Sequence, residues 1–471
     1  MDRTTIAAIA TPVGSGGIGI IKMSGDIALR IASAVFTPSG ASRGRAVPRR
    51  AIAPDAFRSH HLYHGHIIDP DTGDVLDEVL LSAMRSPNSY TCEDVVEINA
   101  HSGPVVLRTI LELLLRLGAQ LAEPGEFTRR AFLNGRIDLT QAEGVIDIIN
   151  ARSEQALQIA TAQVQGELGR QVEWTRGNLL DLLTGIEAAI DFPEEVEDTF
   201  EPDQVGQFIE SHVLKPLDVL IEQYNSAHLI RDGLKLAVIG RPNVGKSSLL
   251  NRFLLKDRAI VTAEPGTTRD LIEETLTIQG VPVILTDTAG IHETVNPVEV
   301  IGINRTLDCM RDADLVLFLI DASDPFTSAE FEIYESIRNK SVILAVNKMD
   351  LAKHPHEPSL PDEWGAVPVC RISAKTGLGI EALKKTIVHQ VIGGELPDLH
   401  NTIVPNLRQK QLLEQSRTAA AQVVKGCRAG LPHELLAIDL QEAVDLLGSV
   451  IGVTLRQDVI DQIFSRFCIG K

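Results

Sequence analysis

No apolar run in this sequence approaches membrane length. The most apolar, ADLVLFLID at 313–321, is far shorter than the ~18 residues that suggest a span, and it reads as a buried strand. Cysteine is scarce too. Cys92, Cys309, Cys370, Cys427 and Cys468 stand apart, without the paired C-x-x-C spacing of zinc sites, and so odd and scattered a set suits a reducing compartment. Positive charge is in deficit: 44 Lys and Arg against 63 Asp and Glu leave a formal charge of −19. Gripping nucleic acid over a broad surface needs clustered cations, so contact with RNA is expected to be local or partner-assisted. The opening MDRTTIAAIATP carries Asp2 and no arginine-rich amphipathic stretch. Neither a secretory signal nor a transit peptide is expected, and the chain reads as cytoplasmic.

What is present is globular. At 471 residues with 44% hydrophobic content, the chain is too long for one core and suggests three domains. The first ~120 residues mix short apolar strands (GGIGIIKMSG at 16–25, VLLSAM at 79–84) with one periodic helix, VVLRTILELLLRLG at 105–118. After EPGEFTRRAF, Thr140 with Glu143 reads as a capping box. Val145, Ile149, Ala156, Ala160, Val164 and Leu168 then describe the stripe of one long amphipathic helix. A second helix, with Leu179, Leu183, Ile186 and Ile190, should end at Pro193, ahead of a solvated acidic run at 194–198. From Leu234 to about Ile392 buried strands alternate with helical stretches, as in a doubly wound parallel sheet. Helical spacing resumes at Leu435, Ile438, Leu446, Leu447 and Val450. The simplest arrangement joins these helices to the earlier ones and makes the α/β unit an insertion.

The α/β segment carries the chemistry. KLAVIG at 235–240 runs into GRPNVGKSS, a strand–loop–helix phosphate cradle that includes Asn243, Val244, Gly245, Lys246, Ser247 and Ser248. Gly240 and Gly245 let backbone N–H groups turn toward phosphate, Lys246 supplies a point charge, and the Ser247 hydroxyl is placed to ligate Mg²⁺. Alone, this motif indicates only a nucleotide. DTAG (Asp287, Thr288, Ala289, Gly290) ends the strand VPVILT, with Asp287 beside the metal and the Gly290 amide beside a γ-phosphate. NKMD follows the strand SVILAV: the Asp350 carboxylate accepts two hydrogen bonds from guanine, Asn347 secures the loop and base, and Lys348 joins the nucleotide site. Adenine would leave that buried carboxylate unpaired at a cost of ~1–3 kcal/mol or more, so the base is guanine. Ser373, Ala374 and Lys375 complete the base pocket. In IVTAEPGTTRD at 260–270, Thr268 can reach Mg²⁺ only while the γ-phosphate holds the loop. Ile291 stands where Ras-like switches keep a water-orienting glutamine, so another group must do that work. Glu299 is a candidate, and its position suits an exposed carboxylate at a helix start equally well.

Two residue groups read more plainly. His60, His61, His64 and His66 fit a strand edge better than a metal cluster, because no cysteine or second ligand pair lies near in sequence. On residue type alone Cys468, between Phe467 and Ile469, reads as buried filler.

Beyond these motifs, the segments TPVGSGGIGIIKMSG at 11–25, EDVVEINAHSG at 93–103, PGEFTRRAFLNGRIDLTQAE at 124–143, AAIDFPEE at 188–195 and the terminal FCIGK resemble the MnmE (TrmE) family of tRNA modification GTPases over essentially the whole chain. The resemblance implies a multidomain α/β plus α protein. Its parts would be an N-terminal α+β domain at 1–122 that binds a one-carbon tetrahydrofolate (5-formyl or methylene form) and dimerises, a helical domain at 123–232 and 395–471, and a Ras-like G domain at 233–394. It implies GTP as substrate, a homodimer, tRNA, and an MnmG-like FAD protein as partner in adding a carboxymethylaminomethyl group to wobble uridine. It implies K⁺ at Asn243, at Thr267 and at the carbonyls near Thr262 and Glu264, with Mg²⁺ at Ser247 and Thr268. Glu299 matches the family's catalytic glutamate, and the tail holding Cys468 is placed near the folate pocket, which makes Cys468 a second catalytic candidate whose thiolate would assist modification. Lys22, Glu97, Arg136 and Lys471 match the folate site; Lys22 stands where arginine is usual, which loses a bidentate fork, and Ser15 and Ala100 also depart from the pattern. The rival expectation is a regulatory switch in ribosome or RNA maturation whose flanking domains only bind RNA.

Overall fold

The computed structural model describes residues 4–12, 14, 16–39, 52–192, 202–257, 274–286, 313–325, 327–351, 364, 367–393 and 402–471. Strands β1 (Ile6–Ile9), β2 (Ile18–Ser24), β3 (Phe36–Pro38), β4 (His61–Ile68), β5 (Val75–Met84), β6 (Val95–His101) and β7 (Gln120–Leu121) form one sheet in the order β3-β4-β5-β6-β2-β1-β7. It is antiparallel except for the β1–β7 pair. Helices α1 (Ala28–Val35) and α2 (Pro104–Arg116) cover one face, burying Ile31, Val35, Ile110 and Leu114 against Ile21, Met23, Leu81 and Ile98. Side chains alternate along a strand. With Ile21 and Met23 turned inward on β2, and Val96 and Ile98 on β6, Lys22 and Glu97 must share the opposite face.

Helices α3 (Glu126–Leu133), α4 (Leu139–Asn150), α5 (Glu154–Val164), α6 (Glu167–Asp191), α7 (Pro202–Ile209) and α8 (Lys215–Asp232) follow, with one π-helical turn at Glu210–Leu214 between the last two. Then comes the second sheet: β8 (Leu234–Ile239), β9 (Glu274–Ile278), β10 (Val281–Thr286), β11 (Leu315–Asp321), β12 (Val342–Asn347) and β13 (Val369–Arg371). Its order is β13-β12-β11-β8-β10-β9, parallel but for the antiparallel edge strand β9. Helices α9 (Lys246–Asp257), α10 (Ser328–Ile337) and α11 (Ile380–Ile392) accompany it, as a doubly wound unit requires. The chain ends with α12 (Leu407–Arg428), α13 (His433–Ile451) and α14 (Gln457–Phe464).

The two helical stretches share a core. Leu168, Val172, Leu179, Leu183 and Leu220 bury together with Leu413, Val423, Leu440, Val444 and Leu447, so the α/β unit is an insertion in one helical bundle. The seam is also tied by charge: Arg408 Nε and Nη2 each lie 2.8 Å from the Glu143 carboxylate, which Gln409 Nε2 approaches to 2.5 Å.

Three local expectations are corrected. The capping box of α4 is Asp138 with Gln141: the Asp138 carboxylate accepts from Gln141 N at 2.9 Å and Gln141 Oε1 accepts from Asp138 N at 3.0 Å. Thr140 instead donates to Asp138 and is buried, and Glu143 serves the interhelical pair. The single long helix through 139–168 is three helices. Ser153 caps Ala156 N at 3.1 Å and restarts the chain as α5, and Gly166 at φ +79° turns it again. Ile149 therefore ends exposed at 38% rather than in a stripe. On α13 the core face is Leu436, Leu440, Val444 and Leu447; Leu435 and Ile438 point to solvent. The 194–198 run lies outside the described residues.

Glu143 is mostly buried, so its loss should strand the Arg408 guanidinium among backbone carbonyls of Ser449 and Val450. We expect Glu143→Ala to cost roughly 2 kcal/mol, below the ~3–5 kcal/mol typical of a fully buried pair because Arg408 keeps some solvent. Differential scanning calorimetry would read this as an earlier helical-bundle transition; an unchanged transition would deny the pair a structural role.

Candidate functional site

Three loops meet at one edge of the second sheet, where β8, β12 and β13 end. Central β8 is buried apart from Lys235 and delivers the chain into the 240–245 loop. Three residues of that loop have positive φ: Gly240 at +157°, Asn243 at +66° and Gly245 at +100°. Asparagine tolerates that region and glycine enters it without penalty. A side chain at Gly245 would also collide with the Asn347 amide. Lys246, at the start of α9, reaches back so that Nζ donates to the carbonyls of Gly240 at 2.5 Å and Arg241 at 2.9 Å. Asn243, Ser247 and Ser248 are exposed along the mouth, whereas Val244 is buried beneath it.

Asn347 stitches the loops together. It is 2% exposed; its Nδ2 donates to the Val244 carbonyl at 2.7 Å and its Oδ1 accepts from Ala374 N at 2.9 Å. Lys348, at φ +63°, places Nζ 2.5 Å from Asp321 Oδ2 at the tip of β11. Burial pushes the Asp321 carboxyl up, but hydrogen bonds from Lys348 and Ser323 outweigh it and hold the group below its ordinary value. Asp350 is exposed at the tip, not buried, and accepts from buried Ser373 Oγ at 2.6 Å, so its aim is fixed from below. Arg252 of α9 donates to the Ala374 carbonyl at 3.0 Å and to that of Lys375, tying the third loop down. Thr262, Glu264, Thr267, Thr268, Asp287, Thr288, Ala289, Gly290 and Glu299 lie outside the described residues.

A second polar cluster forms on the open face of the first sheet. Lys22 and Glu97 are register partners across β2 and β6, with Nζ and Oε1 3.6 Å apart. Lys22 Nζ lies 5.0 Å from the Tyr90 ring centroid and 5.4 Å from that of Phe127, and Arg136 Cζ lies 5.2 Å from the Tyr90 ring. Such contacts contribute ~0.5–2 kcal/mol each, more where water is excluded. Burial pushes the Lys22 ammonium below the usual lysine value, Glu97 opposes the drop, and the charges of Lys471 and Arg136 add to it. Glu97, Arg136 and Lys471 are thus all brought within electrostatic reach of Lys22. Arg136 is held by the Ser89 carbonyl at 2.5 Å, and the Tyr90 hydroxyl meets Thr128 Oγ1 at 3.0 Å. Burial raises the Tyr90 phenol.

Tyr90, Phe127 and Thr128 were not singled out in the sequence, although Tyr90 is one of only four tyrosines in a chain with 4% aromatics. A lone tyrosine in the Ser- and Asn-bearing stretch before EDVVE was the available signal. The tail returns because Phe464 and Phe467 bury against Leu139 and Ala142. The Cys468 carbonyl then accepts from Gly125 N at 3.3 Å, and Gly470, at φ +89°, lies against the Ile9–Ala10 backbone. Cys468 itself is exposed, contrary to the filler reading, because neighbouring Phe467 takes the buried position. Of the histidines, His64 lies on β4 with Nε2 2.8 Å from Glu78 Oε1, and His60 lines a hollow with Ser89, Tyr90, Cys92 and Arg136. Among the described residues no group of three or more His, Cys, Asp or Glu could hold a metal, and no helix is long and apolar enough to cross a membrane.

Gly245→Ala should weaken GDP binding roughly a hundredfold, because it forces left-handed strain and displaces the Asn347 bracket together. Titration with a fluorescent GDP reads the change, and wild-type affinity would mean that the bracket is dispensable.

With this geometry in place, the chain compares closely with known proteins. The family model "MnmE helical domain" matches residues 139–468 and "GTP-binding protein TrmE N-terminus" matches residues 5–136. The tRNA modification GTPase MnmE of Thermoanaerobacter pseudethanolicus is 44% identical over 467 residues, 99% of each chain. Its namesake from Desulfotalea psychrophila is 43% identical over 474 residues, 100% of this chain and 99% of the other. That of Geotalea uraniireducens is 45% identical over 470 residues, again 100% and 99%. Among solved structures, the G domain of the T. maritima FeoB iron transporter is 30% identical over 33% of this chain and 98% of that chain, at a TM-score of 0.25. Matched from end to end by such relatives, this chain belongs to the MnmE family of tRNA modification GTPases.

Proposed function

We propose that this protein hydrolyses GTP in its inserted domain and, with an MnmG-like FAD protein, adds a carboxymethylaminomethyl group to carbon 5 of wobble uridine in tRNA, using a one-carbon tetrahydrofolate. The observation that carries the reading is the gathering of Glu97, Arg136 and Lys471 about Lys22, with Lys22 and Arg136 both against the Tyr90 ring, in a chain that also holds a stitched phosphate and guanine loop. A GTPase that only switched would have no use for the first cluster. We place the domain boundaries after residues 122, 232 and 394.

In the G domain the backbone of 243–248 would cradle the phosphates, with Lys246 exchanging its loop carbonyls for phosphate oxygens. Asp350, aimed by Ser373, would read the guanine edge. The exposed Ser247 hydroxyl suits a Mg²⁺ ligand, with Thr268 and Asp287 completing the set. When bound, that ion neutralises charge on the phosphates. Asn243, held left-handed at the mouth, suits a K⁺ ligand together with Thr267 and the carbonyls at Thr262 and Glu264. That cation would supply the positive charge an arginine finger supplies elsewhere, an effect worth ~10³–10⁵ in rate. Glu299 would orient the attacking water, since Ile291 cannot. Two chains, paired through their N-terminal domains, would bring their G domains together.

In the N-terminal domain Glu97 would accept from the amino and ring N–H groups of a pterin, with the Tyr90 ring as an adjoining aromatic surface. Arg136 and Lys471 would take the carboxylates of a glutamyl tail. The folate would supply the one-carbon unit, and the exposed Cys468 thiol lies on the tail that closes this pocket.

Two measurements test the reading. Hydrolysis should run at least tenfold faster in KCl than in NaCl, and Glu299→Ala should abolish turnover while nucleotide still binds; equal rates in the two salts would remove the cation from the mechanism. Glu97→Ala and Tyr90→Ala should each weaken 5-formyl-tetrahydrofolate by about tenfold or more in calorimetric titration, roughly 1.4 kcal/mol each. Binding as weak in the wild type as in Glu97→Ala would end the one-carbon assignment.

A further inference from the structure

The inserted unit touches its host through the β9–β10 hairpin. This hairpin lies between the two segments that carry the γ-phosphate-sensing motifs: 258–273 precedes β9, and DTAG follows β10 at once. Its residues Leu276, Ile278, Val281 and Val283 bury in one cluster with Ile159 of α5 and with Ala227 and Ile230 of α8. At its edge, Arg152 Nη1 donates to buried Thr275 Oγ1 at 2.7 Å, and Thr277 Oγ1 donates back to the Arg152 carbonyl at 3.4 Å. Gln155 lies against the hairpin turn at Gly280.

Arg152 stands two residues beyond the end of α4. The other end of α4 starts at the Asp138 capping box, two residues beyond Arg136, which contacts Tyr90 in the polar pocket. At 1.5 Å per residue the helix is a rod of about 18 Å. It is braced on both chain crossings of the insertion: Asp147 pairs with Arg231 at 2.5 Å just before β8, and Glu143 pairs with Arg408 just after the insertion closes. Its N-terminal turn also packs on Phe464 and Phe467, which lead to Cys468 and Lys471. A displacement of the hairpin therefore has a short, stiff route to two of the four pocket cations and carboxylates, Arg136 at the head of α4 and Lys471 on the tail.

We propose that Arg152 is a positioning residue that transmits nucleotide state from the β9–β10 hairpin through α4 to Arg136, so that GTP and folate affinities are linked. The proposal rests on the folate reading of that pocket. Linkage is reciprocal, with typical factors of about 5 to 150.

Titrate 5-formyl-tetrahydrofolate into the full chain loaded with GDP or with a non-hydrolysable GTP analogue. The wild-type Kd values should differ by about fivefold or more between the two states. Arg152→Ala and Thr275→Val should bring that ratio close to one while nucleotide affinity stays at the wild-type value. In parallel, amide hydrogen exchange across 136–150 should differ between the nucleotide states in the wild type and not in Arg152→Ala. A wild-type ratio of one, or a ratio that survives Arg152→Ala, overturns the proposal. If the folate binds in neither state, the reading of the pocket fails, and the exchange measurement still decides the coupling: a nucleotide-dependent difference that persists in Arg152→Ala overturns it.

Discussion

Helices on either side of the insertion bury apolar faces against one another, and that burial decides where the rest of the molecule goes. The core made by Leu168, Val172, Leu179 and Leu183 with Leu413, Val423, Leu440 and Leu447 brings together residues more than two hundred positions apart. Closing so long a loop costs little more than closing one half its length, because the entropy grows only logarithmically. An α/β unit can therefore be inserted between two adjacent points of the bundle. Glu143, Asp147, Arg231 and Arg408 gather at those points, which explains a dense charge network on a short helix.

The same helix lies between two chemistries with different needs. The nucleotide edge is made of backbone: left-handed residues, carbonyls and an asparagine that holds two loops by its amide. The first-sheet pocket is made of side chains, with two cations over one tyrosine ring and a carboxylate in register with one of them. Phosphate is a generic anion and is well served by N–H groups. A flat heterocycle with an acidic tail needs placed charges and an aromatic face.

How much was legible follows from how local each signal is. The phosphate loop, NKMD and Ser373–Ala374–Lys375 stand out as motifs in the sequence, because strand, turn and motif residues lie within a few positions of one another. The α4 cap was misread by two residues, since Asp138-Leu-Thr-Gln and Thr140-Gln-Ala-Glu both satisfy the same spacing and only the interhelical partner of Glu143 distinguishes them. The helix breaks at Ser153 and Gly166 were hidden by an apolar period that continues across them. On α13, Leu435 and Leu436 are equally apolar, and the neighbouring helices select the second.

The amino-acid sequence by itself determined the element types, the guanine-nucleotide motifs and the family, because each is written in contiguous residues whose backbone demands are local. Only the tertiary structure decided that Tyr90 stands between Lys22 and Arg136, that Cys468 on the returning tail is exposed, and that Arg152 meets Thr275. Those contacts join segments with no shared periodicity. They exist because strand register, the Phe464–Phe467 anchor and the shared helical core place distant residues at one point in space.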